Sequence, residues 1–259
     1  MVRLLIALGL SGLLAGQSGA PSIAAVPTVR VAAAADLKFA LDDIAAQLAK
    51  RQPAIRLQPT YGSSGVMHSQ LRQRAPFDVF LSADVEYPRD LVSRGVGSTR
   101  DLFTYATGRI VVWVPASSPL PVERDGLRAL SGANRIAIAN PRHAPYGRAA
   151  EAALRNAGVW TAVERKLVLG ENVAQAAQFA QSGAADAAIV AKSLAVAAAM
   201  REAGRTWDVP EDAYPPLTQG GLILPWATSR EAAVRFRDYL LSAEGRQVLA
   251  SYGFGAPGQ

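Results

Sequence analysis

The feature that most constrains how this chain can fold is a regular alternation. Short apolar runs of strand length are separated by longer stretches whose apolar residues recur at helical spacing. That order builds β-α-β units and mostly parallel sheets flanked by helices, an α/β fold. "TVRVAAA" (Thr28 to Ala34) reads as the first strand. Leu37, Leu41, Ile44 and Leu48 then fall at i, i+4, i+7 and i+11, which gives a helix with one apolar face. "RLQPTY" reads as a second strand, and Pro59, which has no N–H for a ladder bond, puts it at a sheet edge. A helix carrying Val66 and Leu71 follows "GSSG", and "DVFLSAD" reads as a buried strand.

A second series runs through "RIVVWV" (Arg109 to Val114), "RIAIAN" (Arg135 to Asn140), "LVL" (Leu167 to Leu169) and "AAIV" (Ala187 to Val190). Helices are expected between them over Arg148 to Asn156, over Val173 to Gln181, and from Ser193 onward. "GGLILP" (Gly220 to Pro225) reads as one more strand, and Ser229 as the cap of a helix with Ala233, Phe236 and Leu240 on one face. No repeat at a fixed period and no low-complexity linker interrupts the pattern. The length suits one large domain or two lobes of about 100 residues, and two lobes would have to be joined by crossing strands.

The N-terminus has the order of an export signal: Arg3, then the apolar "LLIALGLSGLLAG", then the small residues of "PSIAA". Cleavage is expected near Ala24 or Ala25, making residues 1–25 a signal peptide. "LSGLLAGQ" is close to a lipoprotein signal, but Gln17 stands where the lipid-bearing cysteine would be, and the chain contains no cysteine. The expected product is soluble, free of disulfides and without a lipid anchor. The formal net charge is +6, but the basic residues are dispersed and no aromatic-interleaved stripe accompanies them, which argues against nucleic acid as a partner.

Several chemistries lack their residues. His68 and His143 are the only histidines, and with no cysteine they make no transition-metal ligand set. No Gly-Lys pair exists to start a P-loop. "YGSSG" sits between a strand and a helix as a nucleophile elbow would, but it is not G-x-S-x-G, and "NPRHAPYG" offers His143 no neighbouring acid. A serine hydrolase using Ser64 is therefore the rival reading from the enzyme class. What the chain does repeat is a strand end followed by a few small or polar residues and a helix start: "AAAD" before Leu37, "GSSG" at Ser63 and Ser64, "HAPYG" before Arg148, and "GEN" before Val173. Each such point combines free N–H groups with the positive end of a helix dipole. A helix cap accounts for any one alone; four together in an exported α/β chain favour an anion binder over an enzyme.

In "AAAADL", "YGSSG", "APFDVFLSAD", "NPRHAPYG", "LGENVAQAAQFAQSGAADAAIV" and the ending "YGF", the chain closely resembles the periplasmic molybdate-binding proteins of bacterial ABC transporters, from about Thr28 to Pro257. The resemblance implies a two-lobed solute-binding fold with the ligand cleft between lobes, lobe 1 formed by 26–107 plus 214–259 and lobe 2 by 108–213. It implies a periplasmic monomer with no cofactor that captures molybdate or tungstate and delivers it to a membrane permease. Molybdenum would be present only within the oxyanion. Another tetrahedral oxyanion such as phosphate, arsenate or sulfate is the alternative cargo.

Carried over by position, the resemblance implies oxyanion contacts at Asp36, at Ser64 with Ser63 beside it, at the main-chain N–H groups of Tyr146 and Val173, and at Ala191. Two positions depart from the family: a serine is replaced by Asp36 and a tyrosine by Ala191. The Tyr146 hydroxyl is a candidate replacement for the donor missing at 191. Asp36 raises a charge problem, because a carboxylate about 4 Å from a dianion would repel it by roughly 8 kcal/mol at an effective dielectric of 20. The leading expectation is that its side chain turns inward and caps the following helix through the N–H of Lys38 or Phe39. The others are a protonated acid, a ligand that keeps a proton, or compensation by Lys38, Arg148 or Lys192.

Overall fold

The computed structural model describes residues 26–258 apart from Gln52; the expected signal segment and Gln17 lie outside the described residues. Ten strands are described: β1 (Thr28–Ala34), β2 (Arg56–Gly62), β3 (Val79–Ser82), β4 (Leu102–Gly108), β5 (Ile110–Pro115), β6 (Ile136–Ala139), β7 (Leu167–Gly170), β8 (Ala187–Ala191), β9 (Gly204–Asp208) and β10 (Leu217–Ile223). They form two five-stranded sheets, ordered β2-β1-β3-β10-β4 and β7-β6-β8-β5-β9.

The two sheets have equivalent plans. In the first, β1 pairs in parallel with β2 and β3, and β10 runs antiparallel between β3 and β4. In the second, β6 pairs in parallel with β7 and β8, and β5 runs antiparallel between β8 and β9. Each sheet thus has one strand opposing four, and the opposing strand is the one next to a chain crossing. Only Arg109 separates β4 of one sheet from β5 of the other, and the chain returns between β9 and β10. Pro59 sits opposite Val31 in the outermost strand of the first sheet, where its missing N–H costs no ladder bond.

Burial explains the strand sequences. Val31 to Ala34, Val79 to Ser82 and Ile136 to Ala139 are buried at every position, as expected for strands covered by helices on both faces. The helix Lys38–Lys50 buries Ala40, Leu41, Ile44 and Leu48 against the first sheet. The helix Ser64–Arg72 instead turns Met67 and Leu71 inward and leaves Val66 exposed, so Val66 is not part of its packing face.

Other elements also differ from the sequence reading. The helix after "HAPYG" begins at Pro145, a residue suited to a first turn that needs no N–H. The alanine-rich stretch from Ser193 divides into Lys192–Ala195 and Ala198–Ala203. The C-terminal helix breaks at Ser242, which adopts an extended backbone and accepts the N–H of Gly245 at 3.2 Å, capping a second helix, Ala243–Ser251. Ser229 begins Arg230–Leu241 without a side-chain cap. No helix among the described residues is long and apolar enough to cross a membrane.

Candidate functional site

The four strand-to-helix loops meet. Ala34, Ala35, Asp36, Gly62, Ser63, Ser64, Ala83, Ala144, Pro145, Tyr146 and Val173 line one small cavity between the two sheets. The first sheet's loops bring Asp36, Ser63 and Ser64; the second's bring Tyr146 and Val173. Larger grooves lie on the flanks, such as one beside Arg51 and Tyr239, but Asp36, Ser63, Ser64, Tyr146 and Val173 line none of those described.

Helix starts supply the cavity with main-chain donors. Ser64 and Val173 are the first residues of their helices and Tyr146 the second of its own, so their N–H groups have no intrahelical acceptor. Asn172 caps its helix by accepting from the N–H of Ala174 at 3.0 Å and of Gln175 at 3.1 Å, and Val173 N–H is not part of that cap. Ser64 Oγ accepts the N–H of Ala83 at 3.0 Å; among the described residues its own proton has no acceptor, and it is a hydroxyl donor held in place at the wall. Ser63 is occupied differently. Its Oγ lies 2.8 Å from His143 Nδ1, donates to the His143 carbonyl at 3.2 Å, and accepts from Val66 N–H at 3.4 Å.

Asp36 does not cap a helix. Its side chain makes no capping bond to Lys38 or Phe39; Oδ2 accepts instead from the Tyr146 hydroxyl at 2.9 Å and from Gln219 Nε2 at 2.5 Å. The reason is steric and electronic together. Asp36 is 1% exposed, inside a three-residue 3₁₀ turn, and the donors that reach it come from Tyr146 across the cleft and from Gln219 on β10 of its own sheet rather than along the helix. Gln219 Nε2 also contacts Tyr146 Oη at 3.1 Å, closing a triad of carboxyl, phenol and amide. The Tyr146 hydroxyl, the candidate replacement for the donor missing at 191, is engaged by Asp36. Ala191 ends β8, fully buried, and is not part of the cavity lining.

None of the three expected cations compensates Asp36. Lys38 pairs with Asp42, Arg148 with Asp84, and Lys192 with Asp208. Burial pushes the Asp36 carboxyl up to about 6; the donors Gln219 and Tyr146 and the nearby N–H groups of Asp36 and Leu37 offset only part of that. Those two N–H groups do not satisfy Oδ1, which is buried with no hydrogen-bond partner. Tyr146, buried against this carboxyl, is held well above the ordinary phenol range.

Around the cavity, further contacts tie the sheets together. Gly65 N–H donates to the His143 carbonyl at 3.0 Å, Ser193 Oγ donates to the Asp36 carbonyl at 2.8 Å, and Arg148 reaches Asp84 at 2.6 Å and the Tyr87 hydroxyl at 3.0 Å. Gln219, Ser193, Gly65, Asp84 and Tyr87 carry no site role in the sequence reading, which names Arg148 and His143 in other ones. A polar amide flanked by "PPLT" and "GGLILP" was the available signal for Gln219. His143 meets Ser63 rather than Ser64, and its Nε2 lies 3.8 Å from an exposed Glu171 carboxylate, beyond hydrogen-bond reach. Among the described residues no group of three or more His, Asp or Glu could hold a metal ion.

Comparison with known proteins places this geometry. The family described as bacterial extracellular solute-binding protein matches residues 29–255. The molybdate-binding protein ModA of Azotobacter vinelandii is 36% identical over 254 residues, covering 98% of this chain and 97% of that protein. ModA of Rhodobacter capsulatus is 36% identical over 194 residues, 75% of each chain. Among solved structures, the Azotobacter vinelandii periplasmic molybdate-binding protein superposes with a TM-score of 0.82 at 29% identity, covering 88% of this chain and 99% of that one.

Proposed function

The chain belongs to the bacterial extracellular solute-binding proteins, and among them to the molybdate-binding proteins of ABC transporters; from that premise we propose that it captures molybdate or tungstate between its lobes in the periplasm and delivers it to a membrane permease. The observation that carries this reading is the meeting of four helix-start loops, two from each sheet, at one small cavity. Such a wall holds a tetrahedral oxyanion through neutral donors: Ser64 Oγ–H and the N–H groups of Ser64, Tyr146 and Val173, with dipoles adding favourable potential. The lobes are 26–107 with 214–259, and 108–213. The protein acts as a monomer, reaches the periplasm by removal of residues 1–25, and carries no lipid anchor.

A hydrolase is the weaker reading. Ser64 has no histidine at its hydroxyl, and the histidine that touches Ser63 lacks a hydrogen-bonded acid. The test is calorimetry and thermal unfolding with molybdate, tungstate, sulfate, phosphate and arsenate. Molybdate and tungstate are expected to stabilise the protein by about 2.7 kcal/mol at a hundredfold excess over Kd, with no ester turnover. No response to either would overturn the reading.

A further inference from the structure

We infer that Asp36 meets the bound oxyanion as a neutral carboxylic acid whose Oδ1 donates the hydrogen bond, so that capture of one dianion takes up one proton from solvent. This rests on the oxyanion reading above and assigns the site a proton-linked specificity. The geometry divides the carboxyl into two halves. Oδ2 is saturated by two donors, Tyr146 and Gln219, and so is the poorer place for a proton. Oδ1 is buried and unpartnered on a residue that lines the cavity. An ionised Oδ1 there would face a dianion with no positive charge between them; a protonated Oδ1 becomes one more neutral donor among those of the wall.

The surroundings offer no other route to neutrality. From the helix at 145–156 comes Tyr146, and from β10 comes Gln219, both donating to Oδ2. From β4 comes Tyr105, whose hydroxyl donates to the Ser82 carbonyl at 3.1 Å. From the helix at 192–195 come Ser193, bonded to the Asp36 main chain, and Lys192, turned away to Asp208. The "GSSG" helix brings Ser63 and Ser64, with His143 on Ser63; Val173 brings only its main chain and an apolar side chain. Burial has already moved the carboxyl to about 6, and the negative charge of a nearby dianion raises it further, so that it takes a proton from solvent at neutral pH. The proton comes from solvent buffer and forms the Oδ1–H bond; the oxyanion enters as the unprotonated dianion.

The test is titration of the full-length protein with sodium molybdate at pH 7.5 in buffers of different ionisation enthalpy, repeated between pH 5 and 8.5. The slope of observed enthalpy against buffer ionisation enthalpy is expected to give close to one proton taken up per molybdate at pH 7.5 and a small fraction at pH 5. The affinity should weaken about tenfold per pH unit above about 6. Asp36→Asn, which keeps an acceptor for Tyr146 and Gln219 and puts an amide donor at Oδ1, should show no proton uptake, no pH slope, and at pH 8 the affinity the native chain has near pH 5. Asp36→Ser should likewise show no proton uptake and no pH slope. Native binding of molybdate with no proton uptake and a flat pH profile would overturn the inference while leaving the proposed function standing. So would preferential capture of phosphate or arsenate without proton uptake, since there the ligand would bring its own proton and Oδ1 would accept it. Absence of molybdate and tungstate binding at every pH would overturn both.

Discussion

Asp36 bears on the fold as well as on the proposed capture of the ligand. Its carboxyl is raised to about 6 in the folded chain by burial, against an ordinary value near 3.8. The acid form is therefore favoured by folding: the stability it contributes is complete below about pH 4 and is lost as pH rises through about 6. A shift of that size corresponds to about 3 kcal/mol at neutral pH and above. Asp36→Asn should then match the native chain in urea unfolding at pH 4 and become more stable by up to about 3 kcal/mol at pH 8; parallel stability curves across that range would sink the assignment. A neighbour shows how tightly the triad is fitted. A Cβ at Gly108 would run into the Tyr146 hydroxyl and lie 2.9 Å from Gln219 Nε2, so Gly108→Ala should displace the phenol from Asp36 and lower molybdate affinity at least tenfold. Asp36 is also where reading the sequence and observing the structure part. The position was legible from the resemblance, but the partners were not, because Tyr146 and Gln219 are 110 and 183 residues away in sequence and reach the carboxyl only through tertiary packing.

The elements themselves were largely legible, for reasons that differ by type. Helices with a buried face and strands buried at every position announce themselves by periodicity and apolar runs, and "AAIV" and "RIAIAN" correspond to β8 and β6. What escaped were elements whose signals are mixed: β4, "LFTYATG", exposed at its start and buried at its end, and β9, "GRTWD", an edge strand with polar alternation. The helix Glu86–Ser93 escaped too, since a proline at Pro88 in its first turn looks like a break. Caps are the finest level, and Asn172 is the one with most consequence. It holds two N–H groups of the helix that begins at Val173, thereby aiming the Val173 N–H at the cavity. Asn172→Ala should cost about 1 kcal/mol in unfolding experiments and weaken molybdate binding several-fold, with Asn172→Ser restoring most of both. A variant that lost stability but bound normally would show that the cap does not position the Val173 donor.

At the scale of the whole molecule, the wall is complete only when the two sheets are brought together, and the chain has been cut small where they meet. Gly65, in the first turn of the "GSSG" helix, lies so close to the other lobe that a Cβ would sit 2.6 Å from the His143 carbonyl oxygen, and within its own lobe 2.9 Å from the Tyr87 hydroxyl. Two of those groups also receive the clasp: Gly65 N–H donates to the His143 carbonyl and Arg148 to Tyr87. The Arg148–Asp84 pair is partly exposed, and by itself contributes at most about 1 kcal/mol. Closure therefore depends on close backbone approach more than on the ion pair. Gly65→Ala removes that approach without touching any donor of the cavity wall. It should leave the unliganded protein's thermal stability within about 1 kcal/mol of native, because separated lobes relieve the contact with His143 and the Tyr87 hydroxyl, at the far end of its side chain, can shift aside, while reducing molybdate affinity tenfold or more. Small-angle scattering should show the variant staying expanded at ligand concentrations that compact the native protein, whereas Arg148→Ala should still compact with a loss of only a few-fold in affinity. If Gly65→Ala bound and compacted like the native chain, the contact between this helix and His143 would not belong to the ligand-holding state, and the cavity would have to be completed by a different approach of the lobes.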